Sequence, residues 1–429
     1  MTGQYKAYPE YKDSGVEWVG SIPTHWVCAK TAHFFKVAMG QTILKEDLVD
    51  DGEWPVFSAT EGDHYFGRIN DPNVQLNIGD IVIPARGTIG AIKLVKEKAT
   101  TSQTTIYCKQ SQRNKIQPSY IYYFFSGERK NLFRFTQTAI PQITTEEVGS
   151  NPILIPTLEE QEKIASFLDY QTTKIDNLVS AQESLITLLK EKRQALISHV
   201  VTKGLDPDVE MKDSGVEWQG DAPRHWIRGN LNRFGTFLGG SGFPIDAQGE
   251  STGDIPFYKV SDTNIPGNEK YLAAANNYIS FDVAKSLGAR IAPSGGIMFP
   301  KVGAALLGNK RRILFERAIT DNNTMVFIPK DNNSEFWYYA LLIMDFGQLS
   351  NPGPVPSVNE SQLKRFEYVA PSAKERSEIA DYLNAKLPPI ETLITEVQES
   401  IDLLKEHRAA LISATVTGKI DVRDWEVNA

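Results

Sequence analysis

A chain of 429 residues with 45 Lys+Arg against 53 Asp+Glu carries a formal net charge of −8. At roughly 100–200 residues per domain it has room for two to four domains with cores of their own, and 41% hydrophobic with 23% charged residues excludes a largely disordered chain. Two cysteines, Cys28 and Cys108, exclude a disulfide framework or a cysteine-built zinc site, and the acidic balance at first counts against nucleic acid.

In chain order, the opening MTGQYKAYPEYKDSG lacks the apolar core of a secretory signal. The longest apolar run, residues 336–346, is about half the ~20 residues a spanning helix needs and contains Asp345. A soluble, reducing, cytoplasmic setting is expected. Residues 12–26 form a tryptophan-containing box, KDSGVEWVGSIPTHW. In residues 73–95 β-branched runs broken by glycine predict strands, and residues 103–109 (QTTIYCK) predict another. The aromatic stretch SYIYYFF, residues 119–125, predicts a buried helix. Beyond it, apolar positions at Leu168, Ile175, Leu178, Leu185, Leu189 and Leu196 recur in heptad-like steps, the pattern of a coiled-coil helix. Its long part, about residues 173–200, would span ~42 Å.

The chain then repeats itself. The box returns at residues 212–226 as KDSGVEWQGDAPRHW, identical at eleven of fifteen positions, and the two boxes hold four of the seven tryptophans. Residues 140–169 align without a gap on 355–384, and residues 175–206 on 390–421. The first offset is 200 and the last 215, so the second body holds fifteen more residues. Its strand candidates lie in SGGIMFPKVGAALLGNKRRILF and NTMVFIP, and its buried helix in EFWYYALLIM. The second stripe falls at Leu383, Ile390, Leu393, Val397, Leu404 and Leu411. Pro388 and Pro389 predict a short helix followed by a long one in each copy. Each stripe left alone would be exposed, and the other copy is its natural cover. Gln182 and Lys192 stand where the second copy has Val397 and His407, polar positions of the kind that set register.

Catalytic motifs are imitated but not completed. GAALLGNKR (residues 303–311) approaches a phosphate-binding loop, but Asn309 holds the lysine position and no hydroxyl follows, so a strand and turn are expected. In PDVEMK (residues 207–212) the two carboxylates are only two residues apart and read as a charged linker. No methyltransferase or dinucleotide fingerprint is present, and the histidines show no metal spacing; His25 and His225, inside the boxes, read as structural hydrogen-bond formers. We expect no catalytic, cofactor-binding or metal site in this chain.

The arrangement resembles the specificity subunit of a Type I restriction-modification system. The resemblance spans nearly the whole chain and rests on YPEYKDSGVEWVGSIPTHW, GDIVIPARGTIG, IPTLEEQEKIASFLD, KDSGVEWQGDAPRHW and IADYLN followed by LLKEHRAALISATVTGKID, in that order. It implies an α+β chain of two mixed α/β target recognition domains separated by two long helical segments forming an antiparallel coiled coil, a pseudo-two-fold internal repeat. The expected boundaries are 1–156, first recognition domain; 157–210, central helical region; 211–370, second recognition domain; and 371–429, C-terminal helical region. It implies a non-catalytic protein whose domains each read half of a split double-stranded DNA site. Its partners would be modification (methyltransferase) subunits, two in number, and restriction (helicase-nuclease) subunits, which would bind S-adenosylmethionine, ATP and Mg. A protein-only scaffold and a stand-alone restriction enzyme are the alternatives; the missing catalytic motifs oppose the second.

Base readout calls on Arg or Lys for guanine and Asn or Gln for adenine. The candidates are Arg86, Thr88, Gln103, Gln137 and Gln142 in the first body, and Lys301, Lys310, Arg311, Arg312, Asn322 and Asn323 in the second. The paired helices would act as a ruler for the unread spacer. Charge divides accordingly: residues 1–156 and 211–370 each hold 16 basic and 16 acidic side chains, whereas residues 157–210 hold 6 and 10, and residues 371–429 hold 7 and 11. The whole acidic excess lies on the helical segments, which suits them to protein partners rather than phosphates.

Overall fold

The computed structural model describes residues 5–60, 62, 64–87, 89–112, 115–133, 142–350 and 355–426. The chain divides into two compact units, Met1–Ser184 with Gln398–Ala429, and Leu185–Val397.

The β-branched run of Ile81–Pro84 forms a central strand of the first body. Its sheet runs Phe35–Met39, Thr105–Gln110, Ile81–Pro84, Lys93–Leu94, antiparallel throughout. Successive side chains alternate between faces. Ile81, Ile83, Ile106 and Cys108 therefore pack into the core built on helix Pro118–Gly127, whose Tyr120, Phe124 and Phe125 are buried. Val82 and Tyr107 face the other way, towards Phe57. Phe57 belongs to a second sheet of Gly67–Ile69, Trp54–Phe57 and Thr100–Thr101. The expected aromatic helix is present because Gln117 accepts a hydrogen bond from the Tyr120 N–H and Pro118 needs no partner in the first turn.

The second unit repeats this plan. Its larger sheet runs Gly235–Gly239, Thr324–Pro329, Ile297–Pro300, Arg312–Leu314, Tyr271–Leu272, and its smaller one Tyr278–Ile279, Ile255–Tyr258, Ile319–Thr320. Among the described residues, strand Tyr271–Leu272 has no counterpart in the first unit. Twenty-four positions separate Phe57 from Ile81 but thirty-nine separate Tyr258 from Ile297, so the fifteen surplus residues all fall there. The expected strand and turn at residues 303–311 is instead a helical turn, Ala304–Leu307, which buries Leu306.

Both helical segments differ from the short-plus-long expectation. Leu158–Lys203 is one helix of 46 residues and Ala373–Val416 one of 44, with Pro388 and Pro389 inside it. Each helix is about 69 and 66 Å long at 1.5 Å per residue. The prolines cost hydrogen bonds, but Leu383 and Leu387 before them and Val397 after them are buried, and this packing carries the helix through.

Within the first unit the helices run antiparallel: Arg408 Nε lies 2.8 Å from Asp176 Oδ1, Gln182 Nε2 donates to Ser400 Oγ (3.0 Å), and Lys405 Nζ lies 3.5 Å from Glu183. Within the second, Arg193 Nε meets Glu391 Oε1 at 3.0 Å. Arg193 and Arg408 are repeat equivalents, so the same ion pair forms once in each unit.

Of the expected seam residues, Leu168, Ile175, Leu189, Leu383, Val397 and Leu411 are buried, and Leu196, Ile390 and Leu404 half-buried. Leu178, Leu185 and Leu393 are exposed, which corrects the stripe. Their neighbours Val179, Ile186 and Ile394 turn inward instead. Two adjacent apolar residues fit steps of three and four equally well, and a mixed register was read where the helices use one. Lys192 is exposed as well.

Gln182 is the polar seam position that does reach its partner helix, yet its Oε1 is buried without a partner. Replacing it with Leu should raise stability by about 1 kcal/mol, read as a higher melting temperature, because an unsatisfied buried acceptor costs more than the single hydrogen bond returns. A lower melting temperature would show that the hydrogen bond dominates.

The helix ends repeat their contacts too. Lys203 Nζ donates to the carbonyls of Gln219 and Asp221 beside the second box, and Lys419 Nζ donates to those of Val19 (3.3 Å) and Ser21 (2.7 Å) in the first.

Candidate nucleic-acid interface

In each unit three segments meet where the central strand ends. In the first, the Ala85 N–H donates to the Thr104 carbonyl (3.0 Å) and Ala85 accepts from the Ile143 N–H (3.1 Å), while Arg86 bridges Gln142. In the second, Lys301 donates to the Asn323 carbonyl (2.8 Å) and accepts from Val358 (2.9 Å), while Val302 bridges Ser357. A strand end, a hairpin turn and the segment returning to the helix are thus tied together twice.

Both turns are closed by a threonine. The Thr105 N–H and hydroxyl donate to the Ser102 carbonyl (3.1 and 2.8 Å), and those of Thr324 donate to the Asp321 carbonyl (3.0 and 2.8 Å). The middle positions, Gln103–Thr104 and Asn322–Asn323, are thereby pushed outward. The end of the neighbouring strand packs beneath each turn, with Gln41 bridged to Ser102 and Ser241 to Asp321.

The structure brings Arg86, Gln103 and Gln142 together in the first unit, and Lys301, Asn322 and Asn323 in the second. Arg86, Gln142, Asn322 and Asn323 are exposed. Gln103 is half-buried, and its Oε1 accepts from the Ile43 N–H (3.0 Å), which leaves its amide hydrogens free to face outward. Thr88 and Gln137 lie outside the described residues.

Lys310, Arg311 and Arg312 form a separate group. Lys310 bonds Asn264 Oδ1 and Arg312 donates to the Thr263 carbonyl (3.0 Å). Arg311 must be corrected outright. It is fully buried, its guanidinium sits 5.0 and 4.7 Å from the ring centroids of Phe299 and Phe346, and it bonds Asn309 and the Lys310 and Met344 carbonyls. Burial pulls this guanidinium down to about 9, against the nearby Asp345, so it is still charged at neutral pH. A core cation cannot touch a base.

Sequence reasoning missed the anchor beneath each body. Glu160, third residue of the first long helix, accepts hydrogen bonds from Tyr8 Oη (2.5 Å) and Trp26 Nε1 (3.1 Å), and its other oxygen lies 2.9 Å from His25 Nε2. Its repeat equivalent Glu375 pairs with Trp226 Nε1 (3.2 Å) and His225 Nε2 (2.8 Å). Each follows a Thr or Ser by three residues, the capping-box signal, and the helix N-terminus favours the carboxylate.

For Glu375, burial pushes the carboxyl pKa up, but hydrogen bonds from His225, the Ser372 N–H and Trp226 outweigh it and hold the group below its ordinary range. A depressed folded-state pKa stabilises the protein above the unfolded value of about 4.3, and that contribution disappears as pH falls through the folded value. The melting-temperature difference between wild type and Glu375→Gln should therefore be present at pH 7 and shrink as the pH falls below about 4.3; a constant difference would contradict the linkage.

Among the described residues no cluster of His, Cys, Asp or Glu could hold a metal ion, and no helix is long and apolar enough to cross a membrane.

The fold defines a duplicated α+β protein that carries one three-segment polar surface in each unit. The chain belongs to the family of the Type I restriction modification DNA specificity domain, which matches twice, over residues 23–186 and 229–401. It is therefore a DNA specificity subunit, the non-catalytic member of such systems. It is 22% identical to the Type I restriction enzyme MjaVIII specificity subunit of Methanocaldococcus jannaschii, over 94% of this chain and 95% of the relative. It is 23% identical to the same organism's putative MjaX specificity subunit, over 94% and 96%. The fold is similar to a chain from a structure of type I R-M complex assembly and conformational transition, with TM-score 0.73 and 13% identity, covering 92% and 98%. It is also similar to the HsdS subunit from Thermoanaerobacter tengcongensis, with TM-score 0.51 and 13% identity, covering 93% and 98%.

Proposed function

We propose that each unit reads one half of a bipartite double-stranded DNA site through its strand-end cluster, and that the helical segments set the unread spacer and dock modification subunits. The twofold occurrence of the same strand-end cluster carries this reading: Arg86, Gln103 and Gln142 in one unit, and Lys301, Asn322 and Asn323 in the other, all exposed except the half-buried Gln103 and Lys301, present donors and acceptors suited to base edges. The acidic excess on the helices supports protein partners there. Backbone affinity would then come largely from those partners, so the chain alone would bind DNA weakly and lose that binding as salt rises.

Mapping methylated adenines across the genome with and without this chain tests the reading. The expected result is loss of one bipartite motif; an unchanged set of motifs would overturn it.

A further inference from the structure

We propose that Arg290 and Lys301 form a guanine-reading site in the second unit that the first unit lacks; this rests on the DNA-reading role proposed above. The edge strand Gly235–Gly239 ends on a glycine beside the cluster. A Cβ on Gly239 would stand 3.6 Å from Arg290 Nη2 and 4.0 Å from Lys301 Nζ, so two cationic heads converge over bare backbone. Neither side chain has a hydrogen-bond or carboxylate partner among the described residues, and Arg290 is exposed.

Two unpaired cations that flank one position repel each other, and that repulsion is relieved by an electron-rich acceptor between them. The nearby carboxylate does not supply it: Asp321 is buried and its oxygens take the N–H and the side-chain amide of Asn323 (3.1 and 3.4 Å). The O6 and N7 atoms of guanine form a paired acceptor of the required kind in the major groove, and Arg and Lys are the side chains that take it. A base edge rather than a phosphate is favoured by the setting. Lys301 is tied through its backbone to the outward turn carrying Asn322 and Asn323, the residue type that reads adenine.

The first unit cannot build this site. Its residue at the matching strand end is Met39, which is exposed and carries a side chain where Gly239 has none. Arg290 stands two residues before Ala292, whose bridge to Ala318 repeats that of Leu76 to Ala99, and the first unit has Val74 at the matching position, so the second cation beside Lys301 has no counterpart there.

The test uses the full chain with its methyltransferase partner and reads the methylated motif genome-wide for wild type, Arg290→Ala, Lys301→Ala and Gly239→Met. Each variant should lose preference for guanine at one position of one half-site, with discrimination falling about tenfold to hundredfold, while the other half-site is unchanged. Arg290 is exposed, so Arg290→Ala should melt as wild type does and keep the comparison free of folding effects. An unchanged motif would overturn the proposal. So would a uniform loss of methylation with every base preference intact, the mark of a phosphate contact. Wild type supporting no bipartite motif at all would instead overturn the underlying DNA-reading role.

Discussion

Replacing Glu160 with Ala should lower the stability of the first unit by about 3–5 kcal/mol, whereas the repeat-equivalent Glu375→Ala should cost the second only about 1 kcal/mol. The residues match, but their surroundings do not. The Glu160 side chain is 3% exposed and its partner Trp26 is fully buried, so truncation strands the Trp26 Nε1–H and the Tyr8 hydroxyl where water cannot reach them. The phenol cannot escape by ionising, because burial and its bond to Glu160 both push its pKa up. Trp226 is itself buried, but the Glu375 side chain is 29% exposed and His225 52% exposed, so water can enter the space the carboxylate leaves. At about 2–4 °C per kcal/mol for units of this size, calorimetry should show the first unit melting roughly 10 °C earlier in Glu160→Ala and only a few degrees' loss in Glu375→Ala. Glu160→Gln should fall between, keeping one acceptor. Equal losses from the two alanine variants would refute the argument from burial.

The capping motifs that place these carboxylates are short and local, yet Trp26 and Tyr8 lie 134 and 152 positions from Glu160, which no local pattern reveals. The same division explains what else could be read. The duplicated boxes, the β-branched strand at Ile81–Pro84 and the aromatic helix at Pro118–Gly127 are local features and were legible. The seam was legible as a stripe but not in register, since Leu178–Val179, Leu185–Ile186 and Leu393–Ile394 each offer two apolar choices that only packing decides. Pro388 and Pro389 are local breakers overruled by burial of Leu383 and Leu387. In the candidate site, Gln103, Asn322 and Asn323 were legible because a hairpin between two strands must expose its middle residues. Arg311 was misread because a run of three cations resembles a solvated face, and only the tertiary fold places Phe299 and Phe346 on either side of it. Arg290 was invisible for the opposite reason: it is 51 positions from Gly239 and lies in no motif.

The second large effect is expected at two glycines beneath the two threonine-closed turns. Gly40 donates its N–H to the Thr105 carbonyl (2.9 Å), and Gly240 donates to that of Thr324 (3.4 Å). These bonds draw the strand ends so close that a Cβ at Gly40 would stand 2.6 Å from the Thr101 carbonyl oxygen, and one at Gly240 would stand 2.5 Å from that of Thr320; the carbonyls of Ser102 and Asp321 are nearer still. The obstacle in each case is backbone, which cannot rotate away as a side chain can. Gly40→Ala or Gly240→Ala must therefore break the bridge to Ser102 or Asp321 and displace the turn carrying Gln103 or Asn322 and Asn323. Lost hydrogen bonds and overpacking together should cost about 3 kcal/mol or more. Gly242, with no atom within 4 Å of its Cβ position, is the control and should cost less than about 0.5 kcal/mol as Ala. The functional consequence separates the two units. Gly40→Ala should degrade recognition of one half-site and Gly240→Ala the other, each leaving its opposite half intact, because each glycine supports one turn only. Methylation mapping of both variants reads this directly. Wild-type melting with both half-sites intact would show that the turns can yield without cost; damage to the same half-site by both would show that recognition is not divided between the units.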